Sequence, residues 1–278
     1  MYMKGFIPFL TCKCFITSIG SRTGDIFMNR LSGIGPLGTG VDTVLWIVAA
    51  IMILATLYFV FRMTSAPEES RHFFYASGII TLIAATMYMT MGSGYGSFYQ
   101  SGHLFFFGRY IDWVFTTPLI LLDLALVALP KNYPGRTPLL WTIMGADVYM
   151  ILTGVAASAI RSNFRWAFYG VSCAAFIAIL YFIVVKLIPQ ATKRDPRVRK
   201  LFATLSSMLI VLWVLYPIVW LLGGEGFGVI SLLAETICYA VLDVLAKVAF
   251  GFILTSNVPT MQAADEETSD ISKVAVRA

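Results

Sequence analysis

A bundle of seven membrane-spanning α-helices, an all-α fold, is what this sequence predicts, and three observations carry that expectation. Of 278 residues, 58% are hydrophobic and only 13% are charged, more apolar surface than one soluble core of this size can hide; the mean hydropathy is +0.79. Seven apolar stretches reach the roughly 20 residues that a helix needs to cross the hydrocarbon of a bilayer. The net charge of +5 is gathered into short linkers rather than spread over a face, which excludes a nucleic-acid surface and fits loops between spans.

Taken in order, the expected spans cover residues 43–63, 72–93, 105–129, 138–159, 165–187, 200–222 and 229–256, each bounded by charges, Gly or Pro. The first lies between Asp42 and Arg62. The second follows Arg71 and ends in the glycine run Gly92, Gly94, Gly96. The third stops before Pro130, the fourth follows Pro134 and Gly135, and the fifth starts at Arg165. The sixth follows the basic stretch that ends at Lys200 and stops at Gly223, and the seventh closes ahead of Asn257 and Pro259. The connections are short, so one compact membrane domain (41–256) is expected, without a soluble domain.

Linkers after the first, third and fifth spans hold Arg62 and Arg71, then Lys131 and Arg136, then Lys193, Arg194, Arg197, Arg199 and Lys200. Those on the other side hold only His103, then Arg161 and Arg165, then Glu225. The positive-inside rule makes the basic side cytoplasmic, with the N-terminus extracellular and the C-terminus cytoplasmic, in a multi-pass protein of the cell membrane. Residues 1–40 read as an extracellular extension or a leader. Phe6 to Leu10 is too short for a signal sequence core, and Met28 is an alternative start. Residues 257–278, with the acidic run Asp265 to Asp270, read as a disordered cytoplasmic tail.

Several functional classes find no support. Cys12 and Cys14 lack the second half of a zinc site, Cys173 and Cys238 fall inside apolar spans, and no metal site is expected. Phosphate-binding loops, hydrolytic triads and internal repeats are missing. His72 and His103 stand near span ends, where a solvated ring is the simpler reading.

Ionisable groups at membrane depth are costly and face a bundle's interior, so they are functional candidates. They are Arg109, Asp112 and Asp123 in the third span, Asp147 in the fourth, and Glu235, Asp243 and Lys247 in the seventh. At about 100° per residue, Arg109, Asp112, Thr116 and Asp123 share one broad face; Asp112 and Asp123 are about 20° out of line and roughly 16 Å apart along the axis. That is the layout of a vertical relay. Asp243 and Lys247 form an i, i+4 pair with two open readings. One is a structural ion pair that fixes packing. The other is a reactive amine, tuned by carboxylates, that condenses with an aldehyde as a Schiff base. A protonated Schiff base needs counterions; Asp112 and Asp243 can supply them, with Arg109 balancing the excess negative charge. It also needs a flat apolar slot. Trp113, Trp213, Tyr216, Pro217 and Trp220 offer aromatic surface. Such stripes are usually packing or belt residues, but the 3-then-4 spacing of Trp213, Tyr216 and Trp220 sets them on one face, as a pocket wall requires.

Three motifs resemble the microbial (type 1) rhodopsins of the bacteriorhodopsin type: RYIDWVFTTPLILLDLAL from Arg109, WVLYPIVW from Trp213 and LDVLAK from Leu242. MYMTMGSGYG from Met87 and GADVYMILTG from Gly145 also follow the pattern, and the likeness runs from the first span to the seventh. The resemblance implies all-trans retinal bound as a covalent Schiff base to Lys247, with Asp112 as primary proton acceptor, Thr116 as its hydrogen-bonding partner and Asp243 as second counterion. It further implies Arg109 as the extracellular-side gate, Asp123 as cytoplasmic proton donor, and Glu225 with Glu235 as the proton-release pair. Tyr88, Trp113, Thr117, Trp213, Tyr216, Pro217 and Trp220 match pocket positions. Ser77 matches a hydroxyl partner of Asp123. Tyr169 stands where bacteriorhodopsin has a pocket tryptophan and carotenoid-binding relatives have glycine, which argues against an antenna carotenoid, although Gly170 is adjacent.

Chloride pumps of that family have a neutral residue in place of the acceptor, and sodium pumps carry Asn, Asp and Gln at the three positions. Asp112, Thr116 and Asp123 here imply a light-driven outward proton pump, an ion transporter and not an enzyme. Its partners would be retinal, protons and the lipid bilayer, with a homo-oligomer, as a trimer, by analogy. A sensory photoreceptor that signals to a membrane partner is the alternative, with Asp147 and the Lys193 to Lys200 stretch as contact candidates that read equally well as packing and topology signals. A retinal-free transporter using the same carboxylates is a third reading.

Overall fold

A computed structural model describes residues 39–100, 103–160, 162–264 and 266–267. Among them are seven helices long and apolar enough to cross a membrane: α1 (Thr39–Thr64), α2 (Arg71–Gly92), α3 (Phe107–Ala128), α4 (Arg136–Ala159), α5 (Arg165–Ala191), α6 (Pro196–Leu222) and α7 (Leu232–Ser256). The shortest has 22 residues, about 33 Å at 1.5 Å per residue, enough for a hydrocarbon core of about 30 Å. The protein is a multi-pass membrane protein.

Consecutive helices pack side by side, α7 returns to α1, and α3 also reaches α6 across the middle. The outer surface is as apolar as the inside: Leu54, Phe61, Phe115, Trp141, Ile177 and Val211 are all exposed, an arrangement that lipid, not water, favours. The costly groups are inside. Arg109, Asp112, Asp123, Asp147, Glu235, Asp243 and Lys247 are each at most 2% exposed.

Local chemistry places the helix ends. Asp195 caps α6, its Oδ1 accepting from Arg197 N at 2.8 Å, and Pro196 at the first helical position has no N–H to satisfy. The sixth helix therefore begins four residues before the expected 200, with its basic residues already helical. Ser231 caps α7 by accepting from Ala234 N at 3.2 Å, which starts it at Leu232 rather than 229. The fifth helix runs past 187 to Ala191 by way of a π-helical turn, Ile183–Leu187.

Three findings depart from expectation. The linker between α2 and α3 holds an antiparallel pair, β1 (Phe98–Gln100) with β2 (His103–Phe105), in register Phe98↔Phe105. A second π-helical turn, Val244–Ala249, inserts an extra residue into α7 at the turn that carries Lys247. The disordered tail does not begin at 257: residues 258–264 are helical, because Val258, Met261 and Ala264, three residues apart, bury one face in the core. The rest of that tail, including most of the acidic run, lies outside the described residues, as do 1–38 with Cys12 and Cys14, and Arg161.

Beyond the π-helical turn α7 closes tightly on α1 and α2. A Cβ on Gly251 would stand 2.8 Å from Phe59 Cζ and 3.1 Å from Ser77 Oγ, so only glycine permits this approach.

Candidate functional site

Lys247 Nζ lies between two carboxylates, 2.6 Å from Asp112 Oδ2 and 3.0 Å from Asp243 Oδ1. Three helical turns of sequence meet here: α3 supplies Asp112, while α7 supplies Asp243 and, within its π-helical turn, the lysine. Buried ions are tolerated only when paired and hydrogen bonded, and both carboxylates are. Thr116 Oγ1 donates to Asp112 Oδ1 at 3.3 Å. Asp243 accepts from Tyr88 OH (2.8 Å), Trp113 Nε1 (3.1 Å) and Tyr216 OH (2.7 Å). The cluster thus holds one cation against two anions, and the negative excess is spread over four donors.

An apolar cavity of about 110 Å³ adjoins this cluster. Trp113, Thr117, Trp213, Tyr216, Pro217 and Trp220 line it, all expected as pocket residues; Tyr88 does not, and is found instead on Asp243. Trp113 and Tyr216 belong to both, with rings on the cavity and polar atoms on Asp243. Thr117 bridges Trp113 O (2.7 Å) and Asp147 Oδ2 (2.6 Å), so Asp147, which the sequence left without a partner, buttresses the cavity wall from behind.

Toward the start of α3, Arg109 Nη1 pairs with Glu235 Oε1 at 2.8 Å and Nη2 donates to Thr236 Oγ1 at 3.1 Å. The guanidinium is held between the Phe106 and Tyr239 rings, each 4.6 Å away. The expected balance between Arg109 and the Asp112 cluster is therefore not made by direct contact. An adjacent glutamate takes the guanidinium, because Glu235 stands about two helical turns nearer the end of the bundle than Asp243. Glu225 is buried in the turn after α6, and its Oε2 has no hydrogen-bond partner among the described residues. Burial, reinforced by the negative charge of Glu235 and opposed by Arg109, pushes its carboxyl up to about 7 from 4.5. Gly223 makes room for this pair: a Cβ there would lie 2.5 Å from Glu235 Oε2, which accepts from Gly224 N at 3.0 Å.

At the other end of α3, Asp123 is 1% exposed, and its Oδ2 has no partner among the described residues. Ser77 Oγ also lacks one, so the hydroxyl partnership expected of Ser77 and Asp123 is not formed.

The family described as bacteriorhodopsin-like protein matches this chain over residues 39–261. The chain belongs to that family. Bacteriorhodopsin of Haloterrigena sp. (strain arg-4) is 42% identical over 220 residues, covering 77% of this chain and 86% of that protein. The crystal structure of thermophilic rhodopsin from Rubrobacter xylanophilus superposes with a TM-score of 0.77 at 46% identity, covering 80% and 97% of the two chains. That of the light-driven proton pump Coccomyxa subellipsoidea rhodopsin gives 0.73 at 36% identity, covering 78% and 96%.

For a bacteriorhodopsin-like chain, reasoning from the sequence missed much of the cavity. Met150, Ile151 and Gly154 of α4, and Ser172, Cys173 and Phe176 of α5, line it but carry neither charge nor aromatic periodicity strong enough to single them out. Tyr169 lines the cavity and stacks on Trp220 at 4.6 Å, whereas Gly170 is exposed with nothing near the place of a Cβ. Ser158, which bridges Tyr110 OH (2.5 Å) and Trp220 Nε1 (2.7 Å), gave no signal either.

Proposed function

We propose that the protein is a light-driven proton pump that binds all-trans retinal through Lys247 and moves protons outward. One observation carries this reading: the buried Lys247 amine shares Asp243 with Trp113 and Tyr216, two walls of an aromatic cavity. A structural ion pair accounts for the amine's partners but gives no reason for an apolar cavity beside a charged cluster. A long conjugated aldehyde would suit both: the aromatic walls would hold its chain, and the Lys247 amine would condense with its carbonyl, releasing water. Membership of the bacteriorhodopsin-like family supports the same ligand and activity.

Retinal bound there would supply the absorption of light that drives proton movement. The chain's residues do the rest. Asp112 Oδ2, 2.6 Å from Lys247 Nζ, is placed to accept the proton carried on that nitrogen, and Thr116 keeps the receiving carboxylate in position. Asp243, whose oxygens are engaged by three donors, remains the fixed negative charge. Neutralising Asp112 leaves Arg109 drawn more strongly toward Glu225, which lowers the hold of Glu225 on a proton and releases it at that end of the bundle. Asp123, at the opposite end of α3, returns a proton to Lys247 Nζ. The basic linkers after α1, α3 and α5 lie at the Asp123 end and Glu225 at the other, so the positive-inside rule makes the transfer outward, with the C-terminus in the cytoplasm.

The deciding experiment supplies all-trans retinal to cells expressing the chain and follows the visible spectrum and external pH under illumination. A visible band and an acidification that a protonophore abolishes are expected, and Lys247→Ala should show neither. A pigment with no sustained acidification would make the protein a sensor; no pigment at all would remove retinal from the account.

A further inference from the structure

A run of aromatic rings leads from the cavity to the loop that carries Glu225. Tyr169 stacks on Trp220, with centroids 4.6 Å and planes 21° apart. Trp220 meets Trp166 edge-on at 5.9 Å and 81°, and Trp166 lies against Phe227 at 5.2 Å. Tyr169 and Trp220 line the cavity; Trp166 and Phe227 do not. Phe227 follows Glu225 by two residues. Beside it Arg165 Nη2 donates to Gly226 O at 3.2 Å, and its guanidinium sits 4.9 Å over the Trp166 ring. The first turn of α5 therefore grips the loop through two consecutive residues.

This grip matters because of what Glu225 lacks. Its Oε2 has no partner among the described residues, so its carboxylate is placed by the loop backbone together with the neighbouring Glu235. The charged and titratable groups that face it come from elsewhere: Arg109 and Tyr110 from α3, Glu235 and Tyr239 from α7. Arg165 is the charged group on α5 that holds the loop. Where the loop sits decides how far Glu225 stands from all of them.

We propose that Trp166 is a positioning residue for proton release, which transmits movement of the cavity wall at Trp220 to the loop that holds Glu225. The inference rests on the proton-pump reading and adds a mechanical route beside the electrostatic one through Arg109. Trp166 and Tyr169 are half-buried and Phe227 is exposed, so the route runs through the ring contacts themselves and through the Arg165 bond to Gly226 O, which ties the loop to α5. Trp220 is moreover pinned by its Nε1 bond to Ser158 Oγ at 2.7 Å, so its movement cannot dissipate as a free ring flip.

The test compares Trp166→Ala and the conservative Trp166→Phe with the unaltered full chain. In the retinal-loaded protein, a pH dye outside the membrane should report release slowed by about twofold to thirtyfold in Trp166→Ala, with the visible band and the reprotonation rate unchanged and timing largely restored in Trp166→Phe. In the retinal-free protein, the infrared carbonyl band that disappears in Glu225→Gln should titrate at lower pH in Trp166→Ala, because a loosened loop admits water to the carboxyl. Unchanged release and unchanged titration would overturn the proposal, as would loss of pigment in Trp166→Ala with an unaltered Glu225 titration. If the unaltered chain forms no pigment, the pump reading fails, while the infrared titration still decides the role of Trp166.

Discussion

Asp123 is buried, with one oxygen that nothing among the described residues hydrogen bonds. A buried polar group without a partner is expensive, and a site that tolerates the expense makes sense when the group must exchange a proton in the working cycle. Asp123→Asn should leave the visible band in place and slow the return of a proton to Lys247 by roughly a hundredfold, the usual contribution of a positioned acid. Flash spectroscopy measures this directly, and an unchanged cycle would remove Asp123 from the donor role. Glu225 makes a complementary prediction about pH. Its carboxyl is held up at about 7, first by burial and then by Glu235, so it keeps its proton below that pH at rest and has already lost it above. Prompt release at the outer surface should therefore be present at mildly acidic pH and fade as pH rises through about 7, with Glu225→Gln abolishing both the release and its pH dependence. The same shift runs through folding: between 4.5 and about 7 the native state retains a proton that an unfolded glutamate gives up, so Glu225 contributes less stability as pH rises across that window.

At the scale of helices, α7 is where the sequence was least informative. Its span was legible from hydropathy and its charges from their cost, yet the π-helical turn Val244–Ala249 left no trace in the residue pattern. A one-residue insertion shifts the phase of all that follows without changing composition. Asp243 and Lys247 were readable as a pair at i, i+4; that Lys247 lies closer to Asp112 on another helix depends on packing, which periodicity does not contain. Arg109 shows the same limit, since the sequence set it against Asp112 and Asp243 and only the fold assigns it to Glu235. Beyond the turn, Gly251 fixes how closely α7 approaches α1 and α2. Gly251→Ala would place a methyl 2.8 Å from Phe59 Cζ and 3.1 Å from Ser77 Oγ. Overpacking of this kind should cost about 1–3 kcal/mol, read as a lowered thermal transition of the pigment. Adding Phe59→Leu should recover part of the loss if the clash with the ring is the cause.

The whole molecule adds direction. Its charged interior is polarised along the bundle: Arg109, Glu225 and Glu235 gather at one end, Lys247 with its carboxylates lies between, and Asp123 lies toward the other. Such a gradient transports in one sense only if the chain has one orientation in the membrane, and the basic linkers supply it. In a background whose native cysteines are replaced by serine, a cysteine at the exposed position Val229, in the loop after α6, should react with a membrane-impermeant maleimide added outside intact cells. One at Lys193, exposed between α5 and α6, should react only after the membrane is opened. The two results together would fix Glu225 on the outside and the Asp123 end inside, the arrangement that outward transport requires. The reverse labelling would turn the pump inward without altering a single contact at Lys247, because the cluster determines which groups exchange the proton and the orientation of the bundle determines the compartments it leaves and enters.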